Sequence, residues 1–345
     1  MTKNPYLILL LIISNFYFGQ ESFKSIIQKY NDSISAKNYG LVGLYKKNDK
    51  VEKTAIGFAF TGEKMTIDKV FNIGSLSKTF TAVLTLQEVE KGTIKLSDSL
   101  KDYFPPELCR NNNVNLNITI EQLLRHKSGL GEVVTDSLVN DAFSNPYFEY
   151  NYAFLFNKIP KPISTPNTEY KYCNTNYLLL GYILEVINDK PYSEILKERI
   201  FIPCNMINSY SYYSKNIKNV AHPILNNEDL SERGFFKYYQ SYAFSAGGIS
   251  SNLDDLNNFF TKLYNYKLIS KKIFDKMIHF GGDKYGLGIE KYIIKNEIYY
   301  GHSGDNISFK VRNYYSPRTK ELYILMANQY KDLYTMKIAS EIFKP

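Results

Sequence analysis

Apolar residues recur at helical spacing from Glu21 to Ser35, which predicts a short amphipathic helix. The period then falls to that of strands. Tyr39 to Tyr45 and Lys53 to Phe60 are β-like runs parted by the turn Lys47-Asn48-Asp49-Lys50, which predicts an antiparallel hairpin. A brief apolar run, Phe71-Asn72-Ile73, stops at Gly74, and an apolar helical pattern starts at once. It continues through Ala82, Leu84, Leu86 and Val89, with Gly92 placed to end it.

Beyond a turn-rich stretch over 98–105, Thr119-Ile120-Glu121-Gln122 reads as a capping box opening a short helix from Leu123 to His126. Ser128-Gly129-Leu130 breaks that helix. From there to about Pro166 the chain is Asn-rich, aromatic and irregular, with helical stretches and no strand alternation. Tyr177 to Ile187 is so uniformly apolar that it predicts a buried helix. Ala246-Gly247-Gly248-Ile249 forms a glycine-rich bend, after which Ser251 or Asn252 can cap a helix from Leu253 to Tyr264. Strand patterns return over Gly286–Ile294, Glu297–Gly301, Ser308–Tyr315 and Glu321–Asn328, and a helix from Leu333 to Phe343 closes the chain. Strands at both ends around a mostly helical middle, about 98–240, predict one α/β (α+β) unit over 20–345 whose chain ends jointly build one sheet.

Composition changes this picture little. At 345 residues, with 44% hydrophobic and 22% charged residues, the chain has the make-up of an ordinary globular protein. The net charge of +8 comes from Lys residues scattered among Asn, Tyr and Ile rather than gathered in a block, so no nucleic-acid partner is expected. The N-terminus adds more. Lys3 precedes an apolar run from Tyr6 to Ser14, too short to span a bilayer and suited to a signal peptide over 1–19, with Gly19-Gln20 as a cleavage point. An exported, periplasmic or secreted protein is expected, membrane-anchored if the segment stays uncleaved. Cys109, Cys173 and Cys204 permit at most one disulfide and lack metal-ligand spacing, and the four His residues form no metal motif, so no cofactor is expected.

The candidate chemistry begins at Ser75-Leu76-Ser77-Lys78. On a helix Ser75 and Lys78 share a face, which puts an amine beside a hydroxyl at the helix N-terminus. There the unpaired N–H groups favour developing negative charge. A serine attacks only when a neighbouring base takes its proton, and S-x-x-K supplies such a base within one turn. Two further clusters are candidate partners. Tyr172-Cys173-Asn174 stands just ahead of the buried helix, with a phenol able to move a proton and an amide able to hold a carbonyl or the Lys amine. His302-Ser303-Gly304 lies between two strand-like runs; Gly304 leaves room for a substrate along the strand edge, and His302 could bind an anion or relay a proton.

These three clusters in this order resemble the motifs of the serine β-lactamase-like superfamily: class C β-lactamases, D-Ala-D-Ala carboxypeptidases, and related esterases and D-aminopeptidases. Ser75-Leu76-Ser77-Lys78 is similar to S-x-x-K, Tyr172-Cys173-Asn174 to Y-x-N, and His302-Ser303-Gly304 to the K/H-x-G strand motif. Leu123 to Leu130, Ala246 to Ile249 and Tyr285-Gly286-Leu287-Gly288 add to the likeness. The resemblance implies an antiparallel sheet flanked by helices with an inserted helical subdomain. It implies Ser75 as the acylated nucleophile, Lys78 and Tyr172 sharing the proton traffic, and Asn174 orienting substrate and Lys78. His302 and Ser303-Gly304 would seat the substrate, His302 meeting a substrate carboxylate or a tyrosinate. The backbone N–H groups of Ser75 and Asp305 would form the oxyanion hole, and no metal is needed.

Two departures narrow the expectation. His302 stands where β-lactamases usually carry Lys, and Asp305 brings a carboxylate beside the oxyanion hole, where it would repel an anionic substrate tail. The leading reading is a D-Ala-D-Ala-type peptidase or amidase working through an acyl-enzyme. A carboxylesterase or β-lactamase of the same fold, and a non-catalytic protein binding cell-wall peptides, are the alternatives. A small peptide, ester or β-lactam is the partner implied, with cell-wall association and oligomeric state left open.

Overall fold

The computed structural model describes residues 21–104, 113–145, 148–211, 217–231, 242–306, 308–329 and 334–343. The expected signal peptide and Cys109 lie outside the described residues. Strands β1 (Gly40–Lys47), β2 (Lys50–Phe60) and β3 (Glu63–Lys64) come from the N-terminal end of the chain. Short strands follow at β4 (Phe71–Asn72), β5 (Ile224–Leu225), β6 (Glu228–Asp229) and β7 (Ser250–Ser251). The C-terminal part supplies β8 (Glu290–Ile294), β9 (Glu297–Gly301), β10 (Ser303–Asp305), β11 (Lys310–Tyr315) and β12 (Glu321–Ala327).

The main sheet runs β3-β2-β1-β12-β11-β9-β8, with β10 also paired to β11. Its pairings are antiparallel, and β1 lies directly against β12, Leu41 opposite Ala327 and Leu44 opposite Ile324. The two chain ends thus meet at the centre of one sheet. Side chains alternate across a strand, so each face of the β1–β12 pair carries its own apolar set. Leu41, Leu325 and Ala327 face a cluster with the helices Phe23–Gln28, Asn31–Ser35 and Tyr334–Ile342. Val42, Leu44, Ile324 and Met326 face the larger core, with the helices Ser77–Lys91 and Leu253–Tyr264. A strand buried on both faces has no polar positions to alternate, which is why Gly40 to Tyr45 reads as one apolar run.

Several boundaries differ from the sequence pattern, each for a local reason. The N-terminal helix is two, Phe23–Gln28 and Asn31–Ser35, each packing its own apolar residues on the sheet. The capping box at Thr119 and Gln122 forms, but it opens the helix at Ile120 rather than Leu123, because the N-cap is Thr119 itself. Residues 286–289 are not strand: Gly286 N–H bonds to the Ile289 carbonyl, Leu287 N–H to the Met277 carbonyl, and the Gly288 carbonyl accepts from Thr79. Ser308 and Phe309 precede β11 because both their N–H groups donate to the Asn306 side chain.

Between β3 and β7 lie the helices Ile120–Leu124, Asp136–Ser144, Tyr152–Asn157, Asn174–Asn188 and Tyr192–Leu196, with the small β5–β6 hairpin. The helix Asn174–Asn188 is buried through Tyr177, Leu178, Leu179, Leu180 and Leu184, and it shares the larger core with Ser77–Lys91.

Candidate active site

The turn carrying Ser75 is held from two sides. β4 pairs with β7, and Ile73 N–H donates to the Ile249 carbonyl. The chain then tightens into the 3-10 turn Gly74–Leu76 before the helix Ser77–Lys91 begins, with Gly74 at φ 51° in the left-handed region. The Asn72 side-chain oxygen accepts from Gly74 N–H (2.9 Å) and from the Asn306 amide (2.6 Å), tying this turn to the far strands. Strand β10 passes close alongside. A Cβ on Gly304 would stand 2.0 Å from the Ile73 carbonyl oxygen, and one on Gly74 would stand 3.3 Å from the Asp305 nitrogen. Only glycine at 304 lets the two main chains abut.

Lys78 is fully buried and its ammonium nitrogen has three partners: Ser75 Oγ at 3.1 Å, Asn174 Oδ1 at 2.7 Å and the Ala246 carbonyl at 2.8 Å. Burial pulls its pKa down from the ordinary 10.5 to about 7, against the raising pull of the Glu132 charge. In the neutral amine two N–H bonds and one lone pair remain. Asn174 Oδ1 and the Ala246 carbonyl can only accept, so they take the two N–H bonds. The Ser75 hydroxyl is the partner able to donate, and the lone pair is left to it.

Which way Asn174 turns is settled by Glu132. Its Oε2 accepts from Asn174 Nδ2 (3.0 Å) and Asn174 N–H (2.7 Å), and its Oε1 from Val134 N–H (2.8 Å). An ionised carboxylate only accepts, so it claims the NH2 end of the amide and leaves Oδ1 for Lys78. Burial pushes the Glu132 carboxyl up, opposed by these N–H bonds and by Lys78. Tyr172 is half-buried with Lys78 Nζ 4.9 Å from its ring centroid.

The strand motif is arranged differently from the expectation. His302 is buried, its Nδ1 lies 2.6 Å from the Ser303 carbonyl, and its Nε2 lies 2.8 Å from the Tyr285 hydroxyl. A ring nitrogen facing a carbonyl carries a proton, and because burial disfavours the charged ring, Nε2 is left to accept from Tyr285. Burial first, and then the Lys78 charge, lowers its pKa, against the pull of Glu290. Both ring nitrogens of His302 thus have partners inside the protein, where the sequence reading has the ring meet a substrate carboxylate or a tyrosinate. Ser303 Oγ donates to Glu290 (3.2 Å), as does Ser303 N–H (3.0 Å). Asp305 forms a two-bond pair with the Arg312 guanidinium at 2.8 and 2.9 Å, which sets a counter-charge beside the carboxylate.

The structure thus brings Ser75, Lys78, Asn174 and Tyr172 into one cluster, lays the backbone of Gly304 and Asp305 beside it, and turns the side chains of His302, Ser303 and Asp305 to other partners. Sequence reasoning missed Glu132, Asn72 and Arg312. None of them belongs to a motif or a spacing that would mark it.

An antiparallel sheet packed between helices, with a serine and a buried lysine at its edge, defines a serine hydrolase. The chain belongs to the Beta-lactamase family, whose model matches residues 23–333. PbpX of Bacillus subtilis (strain 168) is 26% identical over 326 residues, covering 90% of this chain and 76% of that one. Among solved structures, a D-stereospecific amidohydrolase from Streptomyces sp. superposes with a TM-score of 0.80 at 21% identity, over 92% of this chain and 97% of that one. A penicillin binding protein from Bacillus halodurans superposes with a TM-score of 0.77 at 20% identity, over 94% of this chain and 99% of that one.

Proposed function

We propose that the protein is an exported amidase or peptidase acting on D-alanyl-type substrates through an acyl-enzyme on Ser75. The observation that carries this reading is the three-partner geometry of Lys78, which leaves one lone pair and directs it at Ser75 Oγ. Lys78 takes the Ser75 proton and Oγ attacks the substrate carbonyl. The N–H groups of Ser75 and Asp305 receive the oxyanion. Tyr172 passes the proton from Lys78 to the leaving nitrogen, and water later releases the acyl group by the reverse path. The names of the amidohydrolase and the penicillin binding protein favour amides over esters. Export rests on the apolar segment from Tyr6 to Ser14.

Intact-mass spectrometry after incubation with a D-alanyl p-nitroanilide, a chromogenic cephalosporin and a p-nitrophenyl ester tests the reading. We expect an acyl adduct that is absent in Ser75→Ala, with turnover of the anilide that is lost in the same variant. No adduct from any donor, with muropeptide binding unchanged in Ser75→Ala, would instead establish a binding protein. Mass spectrometry of the protein recovered from the periplasm reads whether residues 1–19 are removed.

A further inference from the structure

His126 is 1% exposed beside the cluster and has no part in the steps above. It stands where the chain leaves the helix Ile120–Leu124, at φ 56°, a left-handed conformation costly for a residue with a Cβ. What holds it there is a set of bonds to one short segment. Its carbonyl accepts Lys171 N–H at 2.9 Å, and its ring Nδ1 accepts Cys173 N–H at 3.1 Å. These are the residues on either side of Tyr172. The Asn176 amide nitrogen lies 3.0 Å from the same ring nitrogen. The imidazole itself lies against the Tyr172 ring, centroids 4.3 Å apart at 35°.

A ring nitrogen facing a backbone N–H is the unprotonated one, so Nδ1 is occupied as an acceptor and Nε2 carries the ring proton. That tautomer leaves no lone pair free for general-base work. Burial first, and then the Lys78 charge, keeps the ring uncharged.

We propose that His126 is the positioning residue for Tyr172: it grips the chain on both sides of the phenol and backs its ring, setting where the hydroxyl delivers its proton. The inference rests on the assignment of Ser75, Lys78 and Tyr172 above. Residues 170–173 belong to no helix or strand, so discrete bonds of this kind are what place them. When the tetrahedral adduct collapses, the C–N bond breaks and its electron pair stays on nitrogen. That nitrogen takes the Tyr172 proton, and Tyr172 recovers one from the Lys78 ammonium, which had it from Ser75. A hydroxyl displaced by about 1 Å performs this transfer roughly a hundredfold more slowly.

Kinetics on two D-alanyl donors tests the assignment: a p-nitroanilide, whose leaving nitrogen must be protonated, and a p-nitrophenyl ester, whose phenolate departs unaided. We expect His126→Phe to lower kcat/KM, which reports acylation, about a hundredfold on the anilide, and at least about tenfold more than on the ester. Tyr172→Phe gives the same split, and the double variant is no worse than Tyr172→Phe alone. His126→Asn tolerates the left-handed backbone and keeps an acceptor, and it restores the anilide rate to within about fivefold of wild type. Equal losses on both donors, or losses that add in the double variant, overturn the assignment. Should His126→Phe fail to fold, His126→Gly carries the same comparison, because glycine suits the backbone and removes both ring and acceptor. Failure of the underlying reading shows elsewhere, as wild-type enzyme that forms no Ser75 adduct with either donor.

Discussion

At the scale of single residues, the proposed base is made by subtraction. Lys78 sits in a fully buried place that offers it two carbonyl-type acceptors and one hydroxyl, and burial outweighs the attraction of Glu132. The acid limb of kcat/KM for the free enzyme is therefore expected near the Lys78 pKa of about 7, since only the neutral amine accepts the Ser75 proton. Glu132 works on this amine twice. Its charge favours the ammonium form, and its oxygens fix the Asn174 amide. Glu132→Gln removes the charge, so the ammonium is less favoured, the Lys78 pKa falls, and the acid limb moves to lower pH by about one unit. The plateau rate drops about ten- to a hundredfold, because an amide NH2 opposes one of the donors the carboxylate held. A pH–rate profile of wild type and variant checks both. An acid limb that stays in place or moves upward would sink this account of Lys78.

At the scale of elements, the site is a contact between two pieces of main chain. The 3-10 turn before the helix Ser77–Lys91 and the short strand β10 touch through Gly304, whose face carries no side chain. Gly304→Ala places a Cβ about 2 Å from the Ile73 carbonyl oxygen, so β10 must move away and carry the Asp305 N–H with it. Losing one oxyanion donor costs about a hundred- to a thousandfold in rate. Acylation followed by intact mass should fall by that order, while Lys78 and Asn174, on other elements, keep their bonds. An unchanged acylation rate would place the oxyanion donor elsewhere. The sequence pattern marks both elements only faintly. S-x-x-K and the glycine of the strand motif were legible, but three-residue β10 is too short to show alternation, and β8 and β11 begin later than their apolar runs because side chains and turns capture the first N–H groups.

At the scale of the molecule, the sheet closes only when the two chain ends meet at β1 and β12. Asn328, fully buried, sits at that junction. It accepts Gly40 N–H (2.7 Å) and donates to the carbonyls of Ala59 (3.0 Å) and His222 (2.8 Å), so it joins the end of β12 to β1, β2 and the segment leading to β5. Asn328→Ala leaves buried backbone groups unpaired and costs about 3 kcal/mol. The thermal midpoint is expected to fall by about 4 °C. A midpoint within about 1 °C of wild type would mean that the junction carries no such weight.

What the sequence by itself determined is what local periodicity and short-range spacing can encode. The hairpin at the start, the helix Ser77–Lys91 with its glycine stop, the buried helix before Asn188, and the pairing of Ser75 with Lys78 all depend on residues within one or two turns of each other. Strand patterns at both ends of the chain extended this to the meeting of the chain ends, and the likeness of three ordered motifs extended it to the family. Only the tertiary structure decided which polar groups face which. Glu132 reaches Asn174, Arg312 pairs with Asp305, Tyr285 takes the ring of His302, and His126 grips both neighbours of Tyr172. These pairings join residues far apart in the chain. Their strength comes from burial, which raises the cost of an unmatched donor or charge, and burial is a property of the packed molecule rather than of any stretch of sequence.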